Sequence, residues 1–255
     1  MCYYNGIKVP RDEYIRLMRL EKEVKAIAAM LTKPLHSGFE YTNYPIIKPV
    51  NCGADFEIVE AHWEFISSWN KTWSDVAESR KKGIPTFNAK SEKLFVNEKG
   101  QKSMWADSAM NRRCLVLSSG FYEWRHYKPE GSKKDIAYPY YISLPEKEYF
   151  YMAGIWQPWT DRETGETIDT FAIVTTKANE LMAQVHNKKL RMPTILPDQL
   201  ALEWIQDGLT KERILELGAY QYPTEQMKAY TIQKDFRTLP DPEEAFIYNE
   251  LPALV

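Results

Sequence analysis

Hydrophobic positions along this chain follow two rhythms. After Pro10, where a helix can start, Tyr14, Leu17, Met18, Val24, Ile27 and Leu31 fall at helical spacing between Arg, Glu and Lys. Pro34 and Gly38 close that helix, and its apolar stripe predicts core packing. From 41 to 69 the pattern changes to short strands broken by proline and glycine. A short helix is predicted over 73–82, with Gly83 as its stop. Leu115-Val116-Leu117 reads as buried strand, and 118–120 as a turn. The strands PYYISL and EYFYMAGIW are predicted to form a hairpin through 145–147, followed by a continuous apolar strand over 170–176. Short helices over 178–185, 198–206 and 210–217 and a strand near 229–232 complete the pattern. The tail from Pro240 is acidic and proline-bearing, and predicts a surface strap or a loose end. Many short strands with a few helices make a mixed α+β domain.

Composition narrows this picture. The 255 residues contain no low-complexity linker or repeat, which predicts one domain over 1–238 and a C-terminal tail over 239–255. With 33 basic against 35 acidic residues the chain is no generic polycation, so any nucleic-acid site has to be a local basic groove. No window has the apolar length of a signal peptide or a membrane span, which predicts a cytoplasmic chain with no membrane partner. Cys2, Cys52 and Cys114 form no CxxC pair and the four histidines are scattered, so neither a metal site nor a cofactor is expected. The 8 Trp and 16 Tyr serve either as core or as a surface on which bases stack.

The candidate chemistry begins at Met1-Cys2. Without Met1, Cys2 carries an α-amine of pKa ~8 beside a thiol of pKa ~8.5. The pair can take an aldehyde as an imine and close it into a thiazolidine, an intramolecular step with an effective concentration of about 10⁵ M or more. An internal cysteine forms only a reversible thiohemiacetal. Three other residues are open to two readings. Asn88 reads as a helix cap or a site residue. Glu123, between Tyr122 and Trp124, faces solvent by alternation or lies in a pocket that raises its pKa toward acid–base use. His186, after a helix, reads as a dipole partner, a satisfied core residue or a site residue. Trp63 and Trp69 flank a turn-like piece, as core or as stacking surface.

Several blocks, taken together, resemble the SRAP family of sensors that crosslink to abasic sites in single-stranded DNA. The family begins Met-Cys and carries W-G-L-I-P-x-W, N-A-R-x-E, R-R-C-L-V-P-x-x-G-F-Y-E-W and I-H-x-R-M-P-x-I-L. The corresponding stretches here are Met1-Cys2, WEFISSW at 63–69, NAKSE at 88–92, RRCLVLSSGFYEW at 112–124 and VHNKKLRMPTIL at 185–196. They keep the family order and, with similar strands at YMAGIWQPW and FAIVTTKAN, span residues 1 to about 235. The resemblance implies a curved, barrel-like β core with surrounding helices and a cleft-borne site. It implies Cys2 as nucleophile, Asn88 positioning amine and sugar, Glu123 shuttling protons and His186 assisting protonation. It implies contacts to single-stranded DNA from Lys90, Arg113 and Arg191, with Trp69 and Trp124 for stacking. It further implies self-removal of Met1, a role in the DNA damage (SOS) response, association with the nucleoid when bound to DNA, and a monomer.

The chain also departs from the pattern. Tyr3 stands where glycine is usual, and WEFISSW lacks the glycine and proline of its block. Lys90 replaces an arginine and loses its bidentate fork. His186 and Arg191 are separated by two extra residues, so either Lys188 or Arg191 fills the phosphate-facing place. Two other readings remain: an N-terminal-cysteine peptidase acting on peptide bonds, and a non-covalent single-stranded DNA binding module.

Overall fold

A computed structural model of the protein describes residues 2–7, 33, 35–50, 55–83 and 85–255. The helix expected after Pro10, Met1 and Cys52 lie outside the described residues. The strands are β1 (Tyr4–Gly6), β2 (His36–Ser37), β3 (Asn43–Val50), β4 (Asp55–Trp63), β5 (Asn88–Lys90), β6 (Arg113–Ser118), β7 (Gly120–Tyr127), β8 (Ile136–Ser143), β9 (Phe150–Thr160), β10 (Thr167–Lys177), β11 (Arg191–Pro193), β12 (Ile195–Leu196) and β13 (Lys228–Thr231). The helices are α1 (Trp73–Lys81), α2 (Ala106–Asn111), α3 (Glu180–Val185), α4 (Asp198–Trp204) and α5 (Lys211–Gly218).

β3, β4, β10, β9 and β6 close on themselves as a barrel, because β9 pairs both β6 and β10. All the joins are antiparallel except β4 with β10. Closure removes the open sheet edges that strands otherwise expose. Ile46, Leu115, Val116, Ile155, Phe171 and Ile173 are buried in this unit. The expected short, broken strands after residue 41 are instead one long hairpin, in which Asn43–Val50 pairs along Asp55–Trp63. Pro45 and Pro49 are tolerated because β6 pairs only Ile46 and Ile47 of β3, so their missing N–H groups leave no gap in that ladder.

A second sheet runs β2-β1-β7-β8-β13. The chain passes from barrel to second sheet at Ser119, between β6 and β7, where a turn was expected. Strand polarity therefore continues through 118–120 as a bend. The expected hairpin between PYYISL and EYFYMAGIW does not form: β8 pairs β7 and β13, while β9 pairs β6, β10 and β12. Each of the two strands finds its partners in a different sheet. The tail lies against the second sheet: Tyr138 donates to Glu250 at 3.0 Å and Arg125 to the Pro252 carbonyl at 2.6 Å. Val255 exchanges two hydrogen bonds with the Gln184 side chain on α3, at 2.7 and 2.8 Å.

Candidate active site and nucleic-acid groove

β1 enters the second sheet beside β7, and this carries residue 2 to the seam between the sheets. Asn5 anchors it there. Its amide nitrogen donates to the Tyr44 hydroxyl at 2.7 Å and to the Leu117 carbonyl at 3.0 Å, and its amide oxygen accepts from Ser118. Tyr3, the bulky residue that stands where glycine is usual, packs its ring on Phe39 and Phe87 at 5.0 and 6.0 Å. Its bulk is absorbed by an aromatic cage.

Cys2 is wholly buried, and its thiol points to the Tyr4 carbonyl at 3.5 Å. Burial, reinforced by the Glu123 charge, pushes that thiol far above the usual cysteine range. Asn88 is not a helix cap. It lies on β5, and its amide nitrogen donates to the Cys2 carbonyl at 2.9 Å. Glu123 is buried on the face of β7 that also carries Phe121, which resolves its two readings in favour of a pocket. Burial pushes its carboxyl up to about 7.

His186 follows α3, with its Nε2 3.7 Å from Glu123 Oε2. Its Nδ1 is 2.8 Å from the Arg191 carbonyl. A carbonyl only accepts, so in the neutral ring Nδ1 carries the hydrogen and Nε2 presents a lone pair to Glu123. Burial holds the imidazole down at about 4, so it is uncharged at neutral pH. The two extra residues between His186 and Arg191 are accommodated by a turn. The Leu190 N–H donates to the His186 carbonyl at 2.8 Å, and Leu190 adopts a left-handed φ of 53°. Asn187 clamps this turn to β7, accepting from the His126 N–H at 3.0 Å and donating to the His126 carbonyl at 2.7 Å.

The expected DNA contacts divide. Trp69, Asn88 and Lys90 line one open groove of about 570 Å³, together with Lys93, Lys102 and Trp105. Trp69 is 61% exposed. Lys90 is exposed and lies 3.6 Å from Glu98. Trp124 is half-buried against Tyr4 and Phe236, away from that lining. Arg113 is not a phosphate contact. It is buried, and its guanidinium donates to the carbonyls of Trp204, Ala109, Met110 and Gln206, tying α2 and α4 to the barrel. Arg191 is also buried, holding Glu92 at 2.7 Å and the Thr175 carbonyl at 2.5 Å. Lys188 pairs with Asp135 at 2.5 Å. The exposed cation whose charge reaches Glu123 and His186 is Lys189, lowering the pKa of both.

Asn5, Tyr44 and Lys189 were not singled out from the sequence. Asn5 between aromatics and a glycine gives a faint signal, whereas the other two depend on tertiary proximity. Among the described residues no cluster of three or more His, Cys, Asp or Glu could hold a metal, and no helix is long and apolar enough to cross a membrane.

A barrel flanked by a second sheet, with a buried second-residue thiol beside a paired carboxyl and imidazole, defines the class. The sequence profile of the SOS response associated peptidase (SRAP) family matches residues 3–238, and the chain belongs to that family. Its relatives include the abasic site processing protein YoqW of Bacillus subtilis, 29% identical over 187 residues, covering 73% of this chain and 74% of that one. The abasic site processing protein HMCES of Xenopus tropicalis is 27% identical over 165 residues, covering 57% of this chain and 44% of that one. A crystal structure of a Bacteroides thetaiotaomicron protein is similar throughout, with 32% identity, a TM-score of 0.80 and coverage of 95% of this chain and 97% of that one.

Proposed function

We propose that this chain processes abasic sites in DNA, and that it does so by covalent capture of the open-chain sugar through Cys2. The observation that carries the reading is a wholly buried Cys2, held through its carbonyl by Asn88, whose thiol feels the charge of a carboxyl poised at about 7. Once Met1 is removed, the Cys2 amine adds to C1′ of the aldehyde, forming a C–N bond. The resulting hydroxyl leaves as water and gives an imine. The thiol sulfur then adds to the imine carbon, and its proton ends on nitrogen, closing the thiazolidine. A group with pKa near 7 is half protonated at neutral pH, so Glu123 can both withdraw the thiol proton and supply one to the departing hydroxyl. Neutral His186 holds a lone pair toward that carboxyl and passes protons without adding a second charge. Lysines of the groove meet phosphates and Trp69 meets bases, which suits single-stranded DNA.

The test is denaturing electrophoresis of the purified protein, with its N-terminus verified by mass, after incubation with a single-stranded oligonucleotide bearing one abasic site. A shifted band that survives denaturation, and is lost with Cys2→Ala or with an intact oligonucleotide, is the expected result. Absence of that band from protein with a free Cys2 amine overturns the covalent reading. Intact mass of the Glu123→Gln variant tests self-removal of Met1, which should be retained there.

A further inference from the structure

A second cavity, of about 200 Å³, opens behind the groove and shares Trp69, Thr86 and Met104 with it. It is smaller than the ~300–1,000 Å³ of pockets that take drug-sized ligands. Its walls are mostly apolar, from Phe65, Ile66 and Val76, with Trp69 at the lip. Polar side chains interrupt them, Glu64, Arg80 and Ser67 among them. Glu64 is buried; it accepts from Arg80 through Nε, shared between its two oxygens at 3.0 and 3.1 Å, and through Nη2 at 2.5 Å, and lies 3.4 Å from His62 Nε2. Arg80 is in turn stacked on Tyr41, its guanidinium carbon 3.7 Å from the ring centroid. Ser67 is 4% exposed, and its hydroxyl has no hydrogen-bond partner among the described residues. A buried hydroxyl without a partner costs about 1–3 kcal/mol, so an unfilled valence there needs an explanation. Glu64 and Ser67 stand where the WEFISSW block departs from the family's glycine and proline.

We infer that this cavity receives the base of one nucleotide flanking the captured sugar, preferring a base with an exocyclic amino group. Three observations converge on it. The cavity shares three lining residues with the groove that holds Asn88 and Lys90, it has an exposed indole in its lining, and it has room for one ring system but not for a base pair. Arg80 and His62 take up most of the acceptor positions of Glu64, so an exocyclic amino group finds its acceptor at the Ser67 hydroxyl. The Ser67 hydroxyl donates to or accepts from a ring nitrogen. The inference rests on the abasic-site reading above.

The experiment is a base scan of the capture rate at sub-saturating protein. Oligonucleotides carry one abasic site, and each neighbouring nucleotide in turn is replaced by a stable baseless tetrahydrofuran residue. At one flanking position, loss of the base should slow capture about tenfold, as for one stacked base. At that position adenine should outperform purine, which lacks the amine. In Ser67→Leu, which fills the cavity, the penalty should collapse. Ser67→Val, which fills less of the cavity, gives the same reading if Ser67→Leu fails to fold. Equal capture of every oligonucleotide, or a penalty that persists in both variants, overturns the inference while leaving capture intact. No capture of any oligonucleotide overturns the underlying function instead.

Discussion

Cys2 and Cys114 are both wholly buried, and burial pushes both thiols far above the usual range. Their surroundings differ. Cys114 lies in the barrel wall on β6 opposite Gly154, packed among apolar side chains, and the carbonyls of both residues accept from the Trp204 indole at 3.1 Å. Cys2 lies at the seam between the sheets, with a carboxyl at about 7, a neutral imidazole and the Asn88 amide gathered around it. Burial alone makes a thiol inert, because the thiolate is the nucleophile. A buried thiol becomes useful when a group able to take its proton is buried with it.

The largest expected effect that sharpens this contrast comes from Glu123→Gln. Capture should slow about 10²–10⁴-fold, and the rise in rate with pH centred near 7 should vanish, read from a pH–rate profile. If the variant keeps full activity, Cys2 is no better equipped than Cys114. Stability should move the other way. The folded Glu123 pKa is raised, so the stability it contributes is complete below its unfolded value and lost as pH climbs through about 7. The folded His186 pKa is depressed, so its share is complete above 6.5 and lost as pH falls through about 4. The two trends oppose one another between these limits. Replacing the carboxyl should make the protein more stable at pH 8, by up to roughly 3 kcal/mol, and should expose the histidine's acid limb. Urea midpoints across pH measure both.

The barrel side of the comparison is tested by Arg113→Met. Its four carbonyl partners lose their donor in a buried place, so stability should fall by about 3 kcal/mol, while the salt dependence of DNA binding stays unchanged. A smaller loss, about 1–3 kcal/mol from overpacking, is expected for Gly154→Ala in chemical denaturation. Its new Cβ would lie 2.8 Å from Cys114 Sγ and 3.0 Å from Val116 Cγ2. The smallest effect belongs to Lys90→Ala in the groove. Binding of single-stranded DNA should weaken a few-fold, with the slope of log K against log salt reduced by about one charge.

The elements with strong local patterns could be read from the sequence. The strand around Leu115-Val116-Leu117 and the helix stopped by Gly83 (φ +73°) both have a nearest-neighbour signal. What failed was pairing. Nothing in PYYISL or EYFYMAGIW tells that their partners lie in different sheets, since both strands are apolar enough to be central in either. The same limit governs the site. Cys2, Asn88, Glu123 and His186 could be named because the blocks around them resemble a family, and Asn88 taken alone reads as a cap. Arg113 and Arg191 differ from Lys90 for a physical reason. Arginine's five donors suit a phosphate and a cluster of backbone carbonyls equally well, and only burial separates Arg113 and Arg191 from Lys90.

The grip of Gln184 on Val255 carries a consequence for anyone handling this protein. Gln184 is two residues from His186, so a purification handle fused after Val255 would pull on the helix that sets the imidazole. A handle placed before Cys2 would cap the amine that the proposed capture needs. The exposed turn of the β9–β10 hairpin, where Gly165 adopts φ +76°, is the better attachment point.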